Sequence, residues 1–305
     1  MLRLIGSRVL WAIPVVWGTA TLTFVLLHIV PGNPITVILQ GEAASPGLIR
    51  EIRSQFHLAD PTWKQYFLYL DQLVHGNLGL SVSTGQHVST LISQSLPVTL
   101  QLVWVSVVFT LVLGIGGGLL ATWARWRIVD RIVSIVQTLG ASTPAFWAGL
   151  LLLIAFSFEL HWFPATGSHG FKSVVLPAIT LALAPAAMVG QVVRSSMREV
   201  LTEPYILAAR AKGLSDGAVR VRHALRNALI PTLSITGVIF GGLITGSVIV
   251  EDVFARNGIG QLLIAGINGK DMETTQGVVI VVAVAYVIIN LVVDIGYLVL
   301  DPRLR

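Results

Sequence analysis

The stretch Leu96–Ala124, LPVTLQLVWVSVVFTLVLGIGGGLLATWA, contains no aspartate, glutamate, lysine or arginine in 29 residues. A helix crosses the hydrocarbon core of a bilayer with about 20 apolar residues, so this stretch is long enough to span a membrane. Five further stretches of the same kind are Val9–Val30, Ile132–Phe158, Ser173–Val193, Asn227–Val250 and Thr274–Val293. No small-residue cleavage site follows the first of them, which therefore predicts a retained helix. The sequence predicts an all-α integral membrane protein with six transmembrane helices.

The composition supports a membrane protein and excludes several other classes. Of the 305 residues, 54% are hydrophobic and 11% charged, whereas an ordinary soluble domain carries about 25% charged residues. Cysteine is absent, which excludes disulfides, cysteine metal sites and a thiol nucleophile. The seven histidines show no ligand spacing, so we predict no metal site. The basic residues lie between apolar stretches rather than on one face, so nucleic acid is not an expected partner.

The lysines and arginines are distributed unevenly between the connecting segments. Most of the 20 fall on one side of the membrane when the N-terminus is placed in the cytoplasm. This bias predicts that both termini are cytoplasmic. We expect three regions: an N-terminus with the first transmembrane helix (1–30), an external loop (31–95), and a five-helix core (96–305) whose cytoplasmic loop covers 194–228.

The external loop 31–95 is too long for a simple connection and should carry structure of its own. Two of its segments pair a capping side chain with a following proline and then repeat apolar residues every three or four positions. The first contains Ser45, Leu48, Ile52 and Phe56, and the second contains Asp60, Trp63, Phe67, Leu70 and Leu73. We predict two short amphipathic helices, the second ending at Gly76, which lie on the outer membrane surface or pack on the protein's own helices.

The cytoplasmic loop contains the pattern of a short exposed helix. Pro204 suits the first helical turn, Tyr205–Lys212 are mostly good helix formers, and Gly213 suits a left-handed cap. A second helical stretch is expected over about Ser215–Leu229, with Pro231 opening the next transmembrane helix. Small side chains flanked by cations suit docking into a groove on a soluble partner. The predicted contact residues are Tyr205, Leu207, Ala208, Ala209, Arg210, Lys212, Gly213 and Leu214.

Two glycine-containing stretches within the apolar segments have a packing interpretation. The sequence has no GxxxxGK[ST] loop for nucleotide phosphates, and Gly114–Gly118 lies inside an apolar helix, so it predicts close helix packing. Gly140–Thr143 superficially resembles the motif of an intramembrane serine protease, but no paired histidine base is evident. Small residues at a helix interface are the better interpretation, and we predict no catalytic residue in this chain.

At this point the sequence resembles the inner-membrane permease subunits of the dipeptide and oligopeptide branch of bacterial ABC importers. The resemblance covers almost the whole chain in order and spacing. The segments that carry it are HIVPGNP (28–34), SLPVTLQL (95–102), ASTPAFWAGLLLL (141–153), ARAKGLS (209–215), RHALRNALIPTL (222–233), VEDVFARNGIG (250–260) and VDIGYLVLDPRLR (293–305).

The resemblance implies a type I importer permease fold in a bacterial inner membrane, with residues 204–213 forming the coupling helix of the EAA loop. Leu207 stands where the general motif has glutamate. The implied partners are a second similar permease in a heterodimer, two ATP-binding subunits or domains, an external solute-binding protein and membrane lipid. ATP and Mg would be held by the ATP-binding partners, so the chain would not be an enzyme by itself and would hold no cofactor.

The cargo expected from the resemblance is a dipeptide or short oligopeptide, with nickel, haem, glutathione or another small solute as alternatives. A stand-alone secondary transporter is a remoter alternative, because internal repeats and ionisable residues at the bilayer midplane are not evident.

A second group of residues follows the fifth apolar stretch. Glu251 and Asp252 adjoin its outer end, where water is close, so they are expected to be structural or to contact the binding protein. Phe254, Gly258 and Gly260 form either irregular backbone at an outer gate or an ordinary turn.

Overall fold

The fold is almost entirely helical over the residues that the computed structural model describes, which are 2–29, 47, 60–123 and 127–300. The helices are α1 Leu2–Ile29, α2 Thr62–Val74, α3 Val88–Trp123, α4 Arg127–Ser142, α5 Ala145–Leu152, α6 Lys172–Val200, α7 Pro204–Ala211, α8 Asp216–Ala218, α9 Leu225–Val253, α10 Ile259–Asn268 and α11 Met272–Leu300. Two π-helical segments, Leu153–Glu159 and Val219–Ala224, follow α5 and α8.

The described residues of the six predicted stretches are helical except for a break inside Ile132–Phe158, and the all-α membrane architecture is confirmed. Among the described residues, α1, α3, α6 and α11 contain segments long and apolar enough to cross a membrane, and the bent pair of α4 with α5 adds a fifth if it crosses as one span. The remaining stretch forms the 29-residue helix α9. The second helix begins at Val88, earlier than the predicted Leu96.

The prediction of one continuous helix over Ile132–Phe158 is wrong. The chain breaks between α4 and α5, and the two halves are bent by 113°. Pro144 occupies the N-cap of α5 with extended backbone, φ −60° and ψ 136°. A proline has no N–H for a helical bond and disfavours helical backbone in the residue before it, so the break falls at Thr143 and Pro144.

The prediction that Pro231 opens the next transmembrane helix is wrong. Pro231 does not open a new helix; it lies inside α9, which begins at Leu225 directly after the π-helical segment. The predicted stretch Ser215–Leu229 is therefore continuous with the transmembrane helix. A proline inside a helix removes one intrahelical hydrogen bond, and membrane helices tolerate it because neighbouring groups satisfy the carbonyl that it leaves free.

The second predicted external helix is confirmed as α2, whose last turn is followed by Gly76. The first predicted external helix, with Ser45, Leu48, Ile52 and Phe56, lies outside the described residues.

Two compact units divide the chain. The first unit is Met1–Val98 with Asn257–Ile288, and the second is Thr99–Arg256 with Ile289–Arg305. The first unit has an apolar core of Val88, Ile92, Ile259 and Val278. In the second unit, α6 packs against α4, α5 and α9. Each unit thus has a helix core of its own.

Close packing of α3 against α6 in the second unit confirms the prediction for Gly114–Gly118. A Cβ built on Gly114 would lie 2.7 Å from the side chain of Val189, and one on Gly118 would lie 2.7 Å from Val193. Gly116, between them, has nothing within 4 Å. The absence of two side chains therefore lets the two backbones approach.

Gly118→Val is expected to destabilise the protein by roughly 1–3 kcal/mol, because the added side chain would overpack against Val193. Gly116→Val is the matched control, since it places the same side chain on the same helix in open space. Thermal unfolding in detergent, followed by size-exclusion chromatography, measures the difference. Equal unfolding temperatures for the two variants would contradict the packing assignment.

Candidate functional site

The short helix predicted at 204–213 is present as α7, with the expected beginning and end. Glu203 is its extended N-cap and Pro204 occupies the first turn. At the other end, Gly213 has φ +82°, and its N–H donates to the carbonyl of Arg210 at 2.9 Å. A left-handed residue of this kind favours glycine, so the local sequence alone sets the limits of the helix.

One side of α7 packs inward and the other is exposed. Ile206 is fully buried and Ala209 is 9% exposed. The remaining predicted contact residues are exposed; Leu207 is 58%, Tyr205 42% and Leu214 41% exposed. We call this exposed set the coupling face; it comprises Tyr205, Leu207, Ala208, Arg210, Lys212, Gly213 and Leu214.

Ala209, which was predicted to contact a partner, lies instead on the inward side with Ile206. The sequence analysis overlooked Ile206, although the spacing of three residues from Ile206 to Ala209 is the signal of one buried helical stripe. An apolar inward stripe seats α7 on its own chain. Exposed leucines on the other side are costly in water, and such residues are typical of surfaces that a partner covers.

Polar contacts tie the coupling face to the transmembrane helices of the second unit. The side-chain amide of Asn227, in α9, donates to the Tyr205 hydroxyl at 2.6 Å. After α7, Ser215 caps α8 by accepting from the N–H of Ala218. The helix α7 is therefore attached to α9 by a direct side-chain hydrogen bond as well as through the chain.

Asp216 is the centre of an ion-pair cluster beside α7. Its carboxylate pairs with the Arg220 guanidinium at 2.8 Å and with that of Arg210 at 3.2 Å. The hydrogen bond from Arg220, with the charges of both arginines, holds the pKa of Asp216 below its ordinary value. Arg220 also donates to the carbonyl of Thr122 near the end of α3. The segment is thus attached to α3, a contact that no local pattern indicates.

Because the pKa of Asp216 is lowered in the folded chain, its ion pairs contribute to stability in a pH-dependent way. The Asp216 pairs stabilise the segment above the ordinary aspartate pKa, and the stabilisation is lost as pH falls through the lower folded-state pKa. The carboxylate is largely exposed, so solvent screening keeps each pair below about 1 kcal/mol.

A second ion-pair cluster joins α4 to α6. The Asp130 carboxylate pairs with Arg194 at 2.7 Å and with Arg198 at 2.8 Å. Arg194 also donates to the hydroxyl of Ser134 at 2.9 Å. These contacts connect the start of α4 to the helix that leads into the coupling segment.

The two acidic residues after the fifth apolar stretch, Glu251 and Asp252, differ in burial. Asp252 is exposed, as expected, but Glu251 is fully buried, so the expectation that water lies close to it is wrong. Phe254 is buried as well. The reason is a turn at Ala255, which has φ 46° and lets the N–H of Arg256 donate to the carbonyl of Glu251 at 2.8 Å.

Arg256, which directly follows this turn, is also fully buried. Its guanidinium donates to the carbonyl of Ser173 at 2.8 Å and to the side chain of Gln101 at 3.4 Å. Burial lowers the pKa of Arg256, while the charge of Glu251 acts in the opposite direction. Glu251 thus supplies the opposite charge that a buried guanidinium requires.

Gly258 and Gly260 belong to the first unit and form the start of α10. Gly258 is its N-cap with extended backbone, and both glycines are buried. Their geometry favours the ordinary turn of the two interpretations. Within 2–29, 60–123 and 127–300, no group of three or more histidine or acidic side chains could hold a metal ion.

The fold is similar to that of chains from two ABC transporters of known structure. The chain is similar to the inward-facing MetNI methionine ABC transporter with a TM-score of 0.58 and 19% identity, over 69% of this chain and 96% of that one. An amino acid ABC transporter gives a TM-score of 0.51 at 18% identity, covering 70% and 94%. At these identities the likeness shows the fold alone.

The family follows from the sequence. Residues 1–103 match the N-terminal model, and residues 113–305 the main model, of the binding-protein-dependent transport system inner membrane component. The chain belongs to this family and is a multi-pass membrane permease. Permeases of this family work with ATP-binding and substrate-binding partners.

Curated relatives cover the chain from end to end. A Brucella abortus (strain 2308) protein, provisionally named a peptide transport system permease protein, is 39% identical over 100% of this chain and 99% of its own. The dipeptide transport system permease protein DppB of Alkalihalophilus pseudofirmus is 35% identical, with 100% of both chains covered. The glutathione transport system permease protein GsiC of Escherichia coli O6:H1 is 36% identical over 100% and 99%.

Proposed function

We propose that this chain is one pore-forming permease subunit of an ATP-driven importer that translocates dipeptides or short oligopeptides delivered by an external solute-binding protein. Family membership and the peptide and dipeptide relatives support the transport class and the cargo. The chain pairs with a second, similar permease and sits in the bacterial inner membrane with both termini in the cytoplasm. The basic residues of the cytoplasmic loop support this orientation.

The coupling face is the observation that carries the proposal. It presents exposed Leu207 and Leu214 beside Arg210 and Lys212, on a helix held from beneath by Ile206. A groove on an ATP-binding partner would cover the leucines and meet the cations. ATP and Mg are held by that partner, and this chain receives the movement rather than the nucleotide.

The contacts around α7 suggest how such a movement reaches the membrane. Tyr205 is bonded to Asn227 in α9, and Arg220 links Asp216 to the end of α3. Since packed helices shift as rigid elements, closure of two ATP-binding subunits would displace α7 and carry α3 and α9 with it. The permease would then alternate between inward-facing and outward-facing states.

The cargo assignment is tested by cargo-stimulated ATP hydrolysis. The complete transporter is reconstituted with its binding protein, and the ATPase rate is measured with a dipeptide, glutathione, nickel or haem. We expect stimulation by the dipeptide. Stimulation by glutathione alone would transfer the function to that of the Escherichia coli relative, and stimulation by nickel or haem alone would overturn the peptide assignment.

A further inference from the structure

The first unit contains a half-open cavity of about 270 Å³. It lies between α1, α2, the segment before α3 and the first turns of α11. Its walls include the aromatic rings of Phe24 and Tyr69 and the amides of Gln72, Asn77 and Gln276. Neither the family resemblance nor the coupling role requires this cavity.

The helix α2 has an unusual distribution of side chains around the cavity. Its exposed side carries Trp63, Phe67 and Val74, which are 66%, 63% and 85% exposed. The opposite side lines the cavity with Gln65, Leu68, Tyr69 and Gln72, of which Gln72 is exposed. An outward apolar stripe is what a helix at a membrane surface presents, so the inward side chains alone define the cavity. The polar side chains therefore face a space that is suited to a polar ligand.

Among the described residues of the lining, Glu273 is the only acidic one and neither lysine nor arginine is present, while two histidines, His28 and His87, also line the cavity. Over the described ranges, no side chain lies within hydrogen-bond or ion-pair distance of the Glu273 carboxylate; it receives a bond from its own backbone N–H and feels the negative charge of Asp271. Asp271 is already satisfied by the Ser81 hydroxyl at 2.6 Å and by the N–H of Thr274 at 3.1 Å. The local field therefore favours a cation next to Glu273.

The position of Glu273 is built by the segment before α3. Gly79 has φ +83°, and a Cβ there would lie 3.1 Å from Cγ of Glu273. The Asn77 side chain accepts from the N–H of Gly79 at 3.0 Å and fixes this turn. Only a glycine combines the left-handed backbone with the space that the acidic side chain fills.

The aromatic wall supplies two further features of a cation site. The rings of Phe24 and Tyr69 stack with centroids 5.8 Å apart, and ring faces attract cations. Burial raises the pKa of Tyr69, so its hydroxyl keeps its proton. That hydroxyl oxygen is shielded from solvent and has no hydrogen-bond partner among the described residues. An acceptor group on a ligand would satisfy it once the side chains that shield it move aside.

We propose that this cavity binds a primary ammonium group that has a hydrogen-bond acceptor close to it. The carboxylate of Glu273 and the rings of Phe24 and Tyr69 contact the ammonium group, and the Tyr69 hydroxyl donates to the acceptor. Two sources have this chemistry: the amino terminus of a peptide, whose first carbonyl is the acceptor, and the ethanolamine headgroup of a phospholipid, whose phosphate is the acceptor. The assignment of a peptide as the ligand rests on the proposed function, whereas the ammonium-binding site itself does not.

The test uses the complete transporter in nanodiscs of phosphatidylcholine, without the binding protein. Calorimetry measures binding of Ala-Ala and of N-acetyl-Ala-Ala, which lacks the ammonium group. In a second arm, phosphatidylethanolamine is added to the nanodiscs, and native mass spectrometry counts the molecules retained. Glu273→Gln removes the carboxylate with little change of shape. Asp71→Asn, an exposed position on α2 away from the cavity, is the matched control.

We expect Glu273→Gln to weaken ammonium binding by about tenfold or more, as loss of a charge-assisted contact does, and Asp71→Asn to leave it unchanged. Tyr69→Phe, which keeps the carboxylate and the ring, should weaken it by a few fold. If binding of Ala-Ala depends on Glu273, the ligand is the peptide amino terminus. If retention of phosphatidylethanolamine depends on Glu273, the ligand is the lipid headgroup. Equal binding of the acetylated peptide, equal binding by Glu273→Gln, or binding in neither arm would overturn the proposal. Cargo-stimulated ATP hydrolysis is measured separately, so its failure would leave this result intact.

Discussion

Leu207→Asp is expected to abolish ATP-driven uptake while the permease remains folded and in the membrane. Leu207 is 58% exposed on α7, so aspartate costs little in the free chain. In the assembled transporter the same carboxylate would be buried against the ATP-binding partner without a counter-charge, which typically costs several kcal/mol. We expect uptake and cargo-stimulated hydrolysis to fall by at least about tenfold, measured in proteoliposomes.

Two controls separate docking from folding. Thr202→Asp adds the same charge to the same segment at an exposed position before α7, and should retain most of the uptake. Ala209→Trp, by contrast, enlarges a buried side chain and should reduce the amount of folded protein. Normal uptake by Leu207→Asp would show that the coupling face is not the contact with the ATP-binding partner.

Glu251→Gln is expected to destabilise the second unit by about 1–3 kcal/mol, because it removes an opposite charge that acts on the buried guanidinium of Arg256. The neighbouring Asp252 is exposed, and Asp252→Asn should change stability by less than about 0.5 kcal/mol. The pair is matched, since each variant removes one carboxylate from the same end of α9. Thermal unfolding of purified protein measures both effects.

The converse change gives an independent check on this buried pair. Arg256→Leu in the Glu251→Gln background removes both charges, so it should recover part of the lost stability. If Glu251→Gln unfolds at the same temperature as Asp252→Asn, the electrostatic role assigned to Glu251 is wrong. A loss of uptake in Asp252→Asn without a loss of stability would support its predicted contact with the binding protein.

The sequence predicted those parts of the coupling segment that depend on neighbouring residues. Pro204 and Gly213 set the ends of α7 through backbone restrictions that act within one turn, and both ends were confirmed. The orientation of α7 was predicted less well, because Ala209 is small enough to suit either side. Its burial with Ile206 is decided by what lies beneath the helix.

The burial of the two acidic residues also depends on distant contacts rather than on neighbouring residues. Glu251 and Asp252 are adjacent and chemically alike, and no local signal separates them. The turn at Ala255 places Arg256 against Ser173, and that distant contact decides which carboxylate is buried. The cavity beside Glu273 likewise depends on residues from four separate segments.

By itself, the sequence determined that this protein is a helical membrane permease with a short helix, bounded by Pro204 and Gly213, in the long segment between its fourth and fifth apolar stretches. Three local features are sufficient for that: long stretches without charged residues, the positions of proline and the positions of glycine. Helix formation in a membrane depends on local hydrogen bonding and hydropathy. Only the tertiary structure decided the break at Pro144, the attachment of Asp216 through Arg220 to Thr122, and the burial of Glu251 with Arg256. These three features depend on which distant surfaces meet. A buried charge is stabilised by a partner that can lie anywhere in the chain.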